Sequence, residues 1–372
     1  MTHKIGIIGC GGIARGKHLP SIKAMGDRAE ITATCDVLID RAEWAANQFG
    51  APGCKAYTCY KELLAGHPEI GIIHVLTPNV SHCEITVAAF EAGKHVMCEK
   101  PMAATYADAK VMMEAYKKSG KLFTIGYQNR YRPDSLTLKK LCRDGELGQI
   151  YYAQAHAIRR RGVPTWGVFT DKAAQGGGPL IDIGTHALDL TLWFMDNYEP
   201  QAVTGSTFNK LGTTLTADQQ GNRMGVWDPT TYEVEDAAFG FITMKDGSLI
   251  TLDSSWILNT TEERAAASYL CGTMAGAELT GVGMEGGGKL FVNKVVGGKL
   301  AKIDVDVAQR RFPPPPAGAP QMPGCVEECT AWLDAVEGKA ELSTKPEQAL
   351  VVTQILDAIY ESAAIGKQII FK

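Results

Sequence analysis

Apolar and polar positions follow two different periods along this chain, and the period changes near residue 148. Before that point, short apolar runs over 4–9, 30–35, 70–76, 95–98 and 122–126 alternate with stretches of helical apolar spacing over 41–49, 85–92 and 105–118. The run 70–76 is continuous, which predicts a strand buried on both faces. Gly50 and Pro52 stop the helix over 41–49, and Gly93 stands at the C-terminal cap of the helix over 85–92. Strands separated by helices imply parallel pairing through right-handed crossovers, a doubly wound sheet.

After residue 148, strand candidates follow one another over 149–160, 202–209, 237–244, 248–257 and 265–271. Lys245-Asp246-Gly247 between two of them signals a hairpin turn. Consecutive strands joined by turns predict a largely antiparallel sheet. One helix over about 179–195 interrupts it, and a last helix over 346–365 precedes a short strand over 368–371. Residues 285–288 read as a loop tip and the prolines at 313–316 as a rigid extended segment. The expected fold is α/β, with a doubly wound domain over 1–125 and an α+β domain with an open-faced sheet over 126–372.

Composition narrows the function classes. The chain has 372 residues, 45% of them hydrophobic and 21% charged, which excludes a disordered or fibrous protein. A net charge of −4 favours neither nucleic acid nor a membrane surface as partner. No apolar run approaches the ~18 residues of a membrane helix. Met1-Thr2-His3-Lys4 leads straight into an Ile-rich strand without a signal-peptide core, so a cytoplasmic location is expected. The ten cysteines are scattered and read as free thiols buried as small hydrophobes. Cys325 and Cys329 share a helix face but have no second ligand pair, so no metal is expected there.

Gly9-Cys10-Gly11-Gly12-Ile13-Ala14 follows the first strand and opens a helix, which is GxGxxA in its required context. The first glycine permits a tight turn, the second admits a pyrophosphate, and the small final residue lets helix and strand pack closely. The free N–H groups of the helix start then face the phosphates. Asp36 closes the second strand, where a carboxylate accepts both ribose hydroxyls and repels a 2′-phosphate. Val37 and Leu38 follow it in place of a phosphate-binding cation, which favours NAD over NADP. Arg41, one helical turn on, is either a surface charge or a cover for the adenine.

Two further segments carry chemistry. Glu99-Lys100 ends an apolar strand, and buried charges are costly unless paired or used. Ligands of open α/β sheets lie at the carboxyl ends of strands, so Lys100 is expected to face the nicotinamide. Asp182, His186 and Asp189 recur at i, i+4 and i+7 behind the run Gly176-Gly177-Gly178. Their helix also carries Leu180, Ile183, Leu188, Leu190 and Trp193, so its polar stripe requires a polar cavity. A lysine ammonium already fills the cationic role, so no metal is assigned to these three.

With GxGxxA at 9–14, TPNxxH at 77–82, GKHVxCEKP at 93–101 and DxGxHxxD at 182–189, the chain resembles the Gfo/Idh/MocA oxidoreductases over nearly its whole length. The resemblance implies an N-terminal Rossmann domain that binds NAD and a C-terminal sheet through which copies pair as a dimer or tetramer. It implies Lys100, Asp182 and His186 as the catalytic set. It assigns Gly9, Gly11, Gly12, Ile13, Asp36, Arg41, Thr77, Pro78, Asn79, His82, Glu99, Lys100 and Gln128 to the cofactor. His186 is the expected general base, Lys100 the group that steadies the alkoxide, and Asp182 the group that orients a second hydroxyl. Lysine as the base stays open.

The expected substrate is a carbohydrate. Tyr127, Arg161 and Trp166 join Lys100, Asp182 and His186 as candidate substrate contacts, and these stretches look similar to bacterial glycoside 3-dehydrogenases, which make 3-keto sugars. Three other readings stay open: an inositol or polyol dehydrogenase, a redox-neutral NAD-dependent glycosidase of the same superfamily, and a non-catalytic NAD-binding protein.

Overall fold

The computed structural model describes residues 2–281, 288–307 and 323–371. The expectations for 313–316 and for most of 285–288 lie outside them. The chain divides into two compact units. The first takes the described residues up to Tyr131 and returns for those from 323 to Leu350; the second takes the rest.

In the first unit, strands β1 (His3–Ile8), β2 (Ala29–Cys35), β3 (Gly50–Tyr57), β4 (Ile72–Val75), β5 (His95–Glu99) and β6 (Phe123–Gly126) form one sheet in the order β3-β2-β1-β4-β5-β6. All neighbours run parallel. The order reverses beside β1, so the carboxyl ends of β1 and β4 frame the crevice where such sheets bind ligands. β1 and β4 are apolar because both their faces are covered. The helices Ile39–Phe49, His82–Glu91 and Tyr106–Ser119 lie where helical spacing predicted them. β3 was not predicted: Gly50 and Pro52 do stop the helix, but the chain turns directly into an edge strand with a weak apolar pattern. The helix Cys325–Val336 was also missed. Its Cys329, Trp332 and Leu333 join Ile5, Ile7, Leu19 and Ile22 in one core cluster.

The second unit is built on a nine-stranded sheet. Its strands are β7 (Ile150–Ile158), β8 (Pro200–Phe208), β9 (Ala237–Met244), β10 (Leu249–Ser255), β11 (Arg264–Gly272), β12 (Gly276–Leu279), β13 (Leu290–Val296), β14 (Lys299–Val305) and β15 (Ile369–Ile370), in the order β14-β13-β12-β11-β7-β10-β9-β8-β15. All pairs are antiparallel except β10 with β7, which run parallel at the sheet's centre. Lys245-Asp246-Gly247 makes the predicted turn between β9 and β10, with Gly247 at φ +84°. Ala238, Gly240 and Ile242 face inward, and Phe239, Phe241 and Thr243 face outward. On the inner face the strands pack so closely against the last helix, Pro346–Ile365, that a Cβ at Gly240 would stand 2.6 Å from Ile359.

The helix expected over 179–195 is not uniform. Residues Leu180–Gly184 form a π-turn, and an α-helix follows over Thr185–Met195. A π-turn takes an extra residue per turn, so the stripe Asp182–His186–Asp189 does not keep straight α-helical register. Ala14–His18, just after the glycine-rich turn, is a second π-turn.

Candidate active site

The glycine-rich turn of the first unit has room for a ligand. Gly9 sits at φ +96°, and a Cβ there would stand 2.6 Å from the backbone of Leu76. Only glycine takes that conformation without strain. A Cβ at Gly11 or Gly12 would meet nothing within 4 Å, so the approach to the helix start is open. Ile13 caps the π-turn that follows. Asp36 is buried and its carboxylate is already engaged: Cys10 donates its backbone N–H to Oδ2 at 2.8 Å, and Leu38 donates its N–H to Oδ1 at 3.0 Å. Asp36 thus fixes the glycine-rich turn against the end of β2. Each carboxylate oxygen keeps a second lone pair for a ribose hydroxyl. Val37 beside it is 85% exposed. Arg41 is exposed on the first turn of its helix. Arg15 lies closer to the turn, with Nε donating to the Cys10 carbonyl at 3.2 Å and its guanidinium 4.2 Å over Trp44.

At the ends of β4 and β5 the predicted residues separate into exposed and buried sets. Pro78 is exposed, Thr77 and Asn79 are half-buried, and Ser81 donates its hydroxyl to Thr77 Oγ1 at 2.8 Å. His82 is fully buried, with Nδ1 2.9 Å from the Pro101 carbonyl and Nε2 2.9 Å from the Thr77 carbonyl. It staples the 77 loop to the 101 loop. Burial pushes its pKa down, and the two carbonyls oppose that shift.

Glu99 is also buried, and its partners are far away in sequence. Lys17 Nζ donates to Glu99 Oε1 at 2.6 Å and to Gln128 Oε1 at 3.2 Å, and stands 2.8 Å from Glu328 Oε2. His18 Nε2 lies 2.8 Å from the same Glu99 oxygen, and His18 Nδ1 lies 3.1 Å from His74 Nδ1. Lys17 and the neighbouring histidine hold the Glu99 carboxyl well below the usual range against its own burial. The two carboxylates hold Lys17 protonated. The other Glu99 oxygen accepts the backbone N–H of Lys100 at 3.1 Å. Glu99 is therefore paired with Lys17, and Lys100 is half-buried at the strand end. A Cβ at Gly126 would stand 2.8 Å from Glu99 Oε1, so β6 needs glycine there. Tyr127 has no exposed surface and lies under the Arg130 guanidinium at 5.9 Å, a core position. It offers a substrate no surface in this conformation.

In the second unit, Asp182 lies in the π-turn and accepts from Trp256 Nε1 at 3.1 Å on Oδ2. His186 and Asp189 are buried one and two turns further on. Glu235, which the sequence did not single out, holds the start of this helix. Its Oε2 accepts the Gly178 N–H at 2.9 Å, and its Oε1 accepts the Leu180 N–H at 3.1 Å and the Tyr360 hydroxyl at 2.7 Å. The glycines have a structural reason: a Cβ on Gly177 would collide with the Tyr360 hydroxyl, and one on Gly178 with the Glu235 carbonyl. The next residue, Asp236, accepts the N–H groups of Lys210, Leu211 and Gly212 at 2.6, 2.5 and 3.0 Å. Adjacent carboxylates thus hold the helix start and the long excursion after β8.

Arg161, a candidate substrate contact, is half-buried. Arg161 spends its guanidinium on Asn259 Oδ1 at 2.7 Å and on the Arg160 carbonyl at 2.7 Å. Arg159 is half-buried like Arg161, and its charge interacts with Asp182. Burial lowers its pKa while Asp182 and Glu263 oppose that shift. Trp166 is 52% exposed, as a stacking platform requires.

The profile described as "Oxidoreductase family, NAD-binding Rossmann fold" matches residues 3–127, and that for the "GFO/IDH/MocA C-terminal domain" matches 135–275. The chain belongs to the Gfo/Idh/MocA oxidoreductase family. Among the relatives of this Gfo/Idh/MocA member is D-glucoside 3-dehydrogenase of Escherichia coli, 33% identical over 98% of this chain and 97% of its own length. Inositol 2-dehydrogenase of Salmonella paratyphi B is 30% identical over 58% of this chain and 61% of its own. Among solved structures, levoglucosan dehydrogenase in complex with NADH superposes with a TM-score of 0.81 at 21% identity, each chain fully covered. An aldose–aldose oxidoreductase from Caulobacter crescentus gives 0.77 at 23%, again over both whole chains. Those two likenesses concern the fold.

Proposed function

We propose that this chain is an NAD-dependent dehydrogenase that oxidises a secondary hydroxyl of a glucoside, at C3, to the keto sugar. The observation that carries the reading is the end-to-end likeness to a D-glucoside 3-dehydrogenase, where the inositol dehydrogenase covers little more than half of the chain. The open helix start at Gly11 and Gly12 and the engaged Asp36 fit NAD. Bound NAD supplies the hydride acceptor. His186 takes the hydroxyl proton as the C–H hydride leaves and the C–O bond becomes a carbonyl. Lys100 donates to the same oxygen and stabilises its developing charge. Asp182, with Oδ2 fixed by Trp256, accepts from a neighbouring hydroxyl. The carboxyl face of the first unit, with Thr77, Pro78, Asn79, Glu99 and Gln128, serves the cofactor, and His82 positions two of its loops.

We further propose that the protein is cytoplasmic and works as a homo-oligomer, copies pairing through the outward sheet face that exposes Phe208 and Phe241. Among the described residues no helix is long and apolar enough to cross a membrane.

The test is NADH formation by the purified chain with methyl glucoside, glucose and myo-inositol, beside Lys100→Met. Turnover with the glucoside is expected, falling by about 10²–10⁴-fold in the variant while NAD still binds. Turnover with inositol alone would overturn the assignment.

A further inference from the structure

The loop that carries Trp166 is anchored to a degree that an idle surface loop does not require. Asn222 clamps Val163 from both sides, accepting its N–H at 3.1 Å and donating to its carbonyl at 3.0 Å. Asn222 also donates to the Gly225 carbonyl at 2.7 Å, and the Thr165 hydroxyl donates to the Met224 carbonyl. Arg223 grips both oxygens of Glu263 at 2.7 and 2.6 Å, and Glu263 accepts the Arg160 N–H at 3.2 Å. The excursion that supplies Asn222 and Arg223 is itself fixed. Gln220 bonds both the N–H and the carbonyl of Trp227, at 3.0 and 2.9 Å, and Trp227 Nε1 donates to the Gly212 carbonyl at 2.7 Å.

On this support stands an indole that is half exposed, with Val168, two residues on, also exposed. Leaving large apolar surface in water is unfavourable, and an exposed apolar patch on a fixed support marks a binding surface. The ring is also the outer end of a row. Trp166 meets Phe169 edge-on with centroids 6.2 Å apart, and Phe169 meets Trp256 edge-on at 6.3 Å. Trp256 is fully buried, and its N–H is the donor on Asp182. The row thus runs from the carboxylate proposed to hold a sugar hydroxyl out to an exposed ring two aromatic side chains away. A single pyranose held at Asp182 leaves unused an indole that stands two ring contacts, of 6.3 and 6.2 Å, beyond Trp256. A ring attached to that sugar would use it.

We propose that Trp166, backed by Phe169, is a subsite for the group attached to the oxidised sugar, so that the preferred substrates are glycosides with a second ring, aryl or glycosyl, rather than free monosaccharides or short alkyl glycosides. This rests on the glucoside dehydrogenase reading. A flat or pyranose ring offers an apolar face to an indole, and such a stack is sequence-independent and tolerant of ring type. Loop anchoring removes the ordering cost that a mobile aromatic would carry on binding.

The experiment compares kcat/KM for phenyl glucoside, a glucosyl disaccharide and methyl glucoside, with NAD, in the full chain and in Trp166→Ala and Trp166→Tyr. The wild type is expected to prefer the two-ring substrates by about tenfold or more, the worth of one good aromatic contact. That ratio is expected to fall toward one in Trp166→Ala through KM and to return in Trp166→Tyr. An unaltered ratio in Trp166→Ala, or no preference in the wild type, overturns the subsite and leaves the dehydrogenase reading standing. Absence of NADH with every glucoside, methyl glucoside included, overturns the dehydrogenase reading itself and the subsite with it.

Discussion

His74 shows how much the chain spends to place polar groups beneath the cofactor face. It lies on β4 with no exposed surface, faces His18, and its Nε2 has no partner among the described residues. Burial lowers its pKa well below the ordinary histidine value, and the positive neighbours His18 and Lys17 add to the shift. Burial lowers His18 and His82 as well. For each, the folded pKa lies below the unfolded value of about 6.5, so the unfolded chain binds protons that the folded one refuses. Their contribution is complete above pH ~6.5 and is lost as pH falls through the window down to the folded pKa. Glu99 acts later: its pKa is lowered, so its share is lost only below the ordinary carboxylate range of about 4.5. Melting temperature is therefore expected to decline between pH ~6.5 and 5, with a slope of at most about 1.4 kcal/mol per pH unit per histidine. His74→Gln is expected to flatten that decline. An unchanged slope in the variant would assign it to other groups.

At the scale of elements, the part that could be read in advance is the part whose partners are near in sequence. GxGxxA, Asp36 and the 245–247 turn are local patterns, and the structure places them on the elements expected. Lys17 and Glu328, or Glu235 and Gly178, are joined only by the tertiary fold, and no spacing rule connects them. The π-turns escaped because hydrophobic periodicity reports an average rotation, and one widened turn barely alters it.

Glu235 gives this scale its prediction. It accepts three hydrogen bonds at the start of the helix that carries Asp182 and His186, and burial raises its pKa against those bonds. Glutamine has the same size but only one acceptor oxygen, so its amide would turn a donor toward a donor. Glu235→Gln is expected to cost about 2 kcal/mol, a drop of roughly 5 °C in melting temperature. Turnover is expected to fall with it while NADH affinity stays, since Glu235 belongs to the second unit. A variant that lost NADH binding in proportion to turnover would deny Glu235 this positioning role.

On the scale of the whole molecule, the outward face of the nine-stranded sheet exposes aromatic side chains among the described residues. Cross-strand register sets Phe239 beside Ser206 and Phe241 beside Thr204, with Phe208 meeting Phe239 edge-on at 5.9 Å. Phe208 and Phe241 are 41% and 48% exposed. The other face of the same strands is small and apolar and is buried in its own unit, so the alternation along β9 is inner-apolar and outer-aromatic rather than the inner-apolar, outer-charged pattern of a solvated sheet. Exposed aromatic side chains on neighbouring strands form an apolar surface suited to a copy of itself, and a two-fold contact needs only one such surface per chain. Phe241→Glu introduces a charge at its centre without touching the inner core. The wild type is expected to elute as a dimer or larger, and Phe241→Glu at about half that mass or less with its far-ultraviolet spectrum intact. A wild type that elutes as a monomer, or a Phe241→Glu variant that keeps the wild-type mass, would remove this face from the assembly.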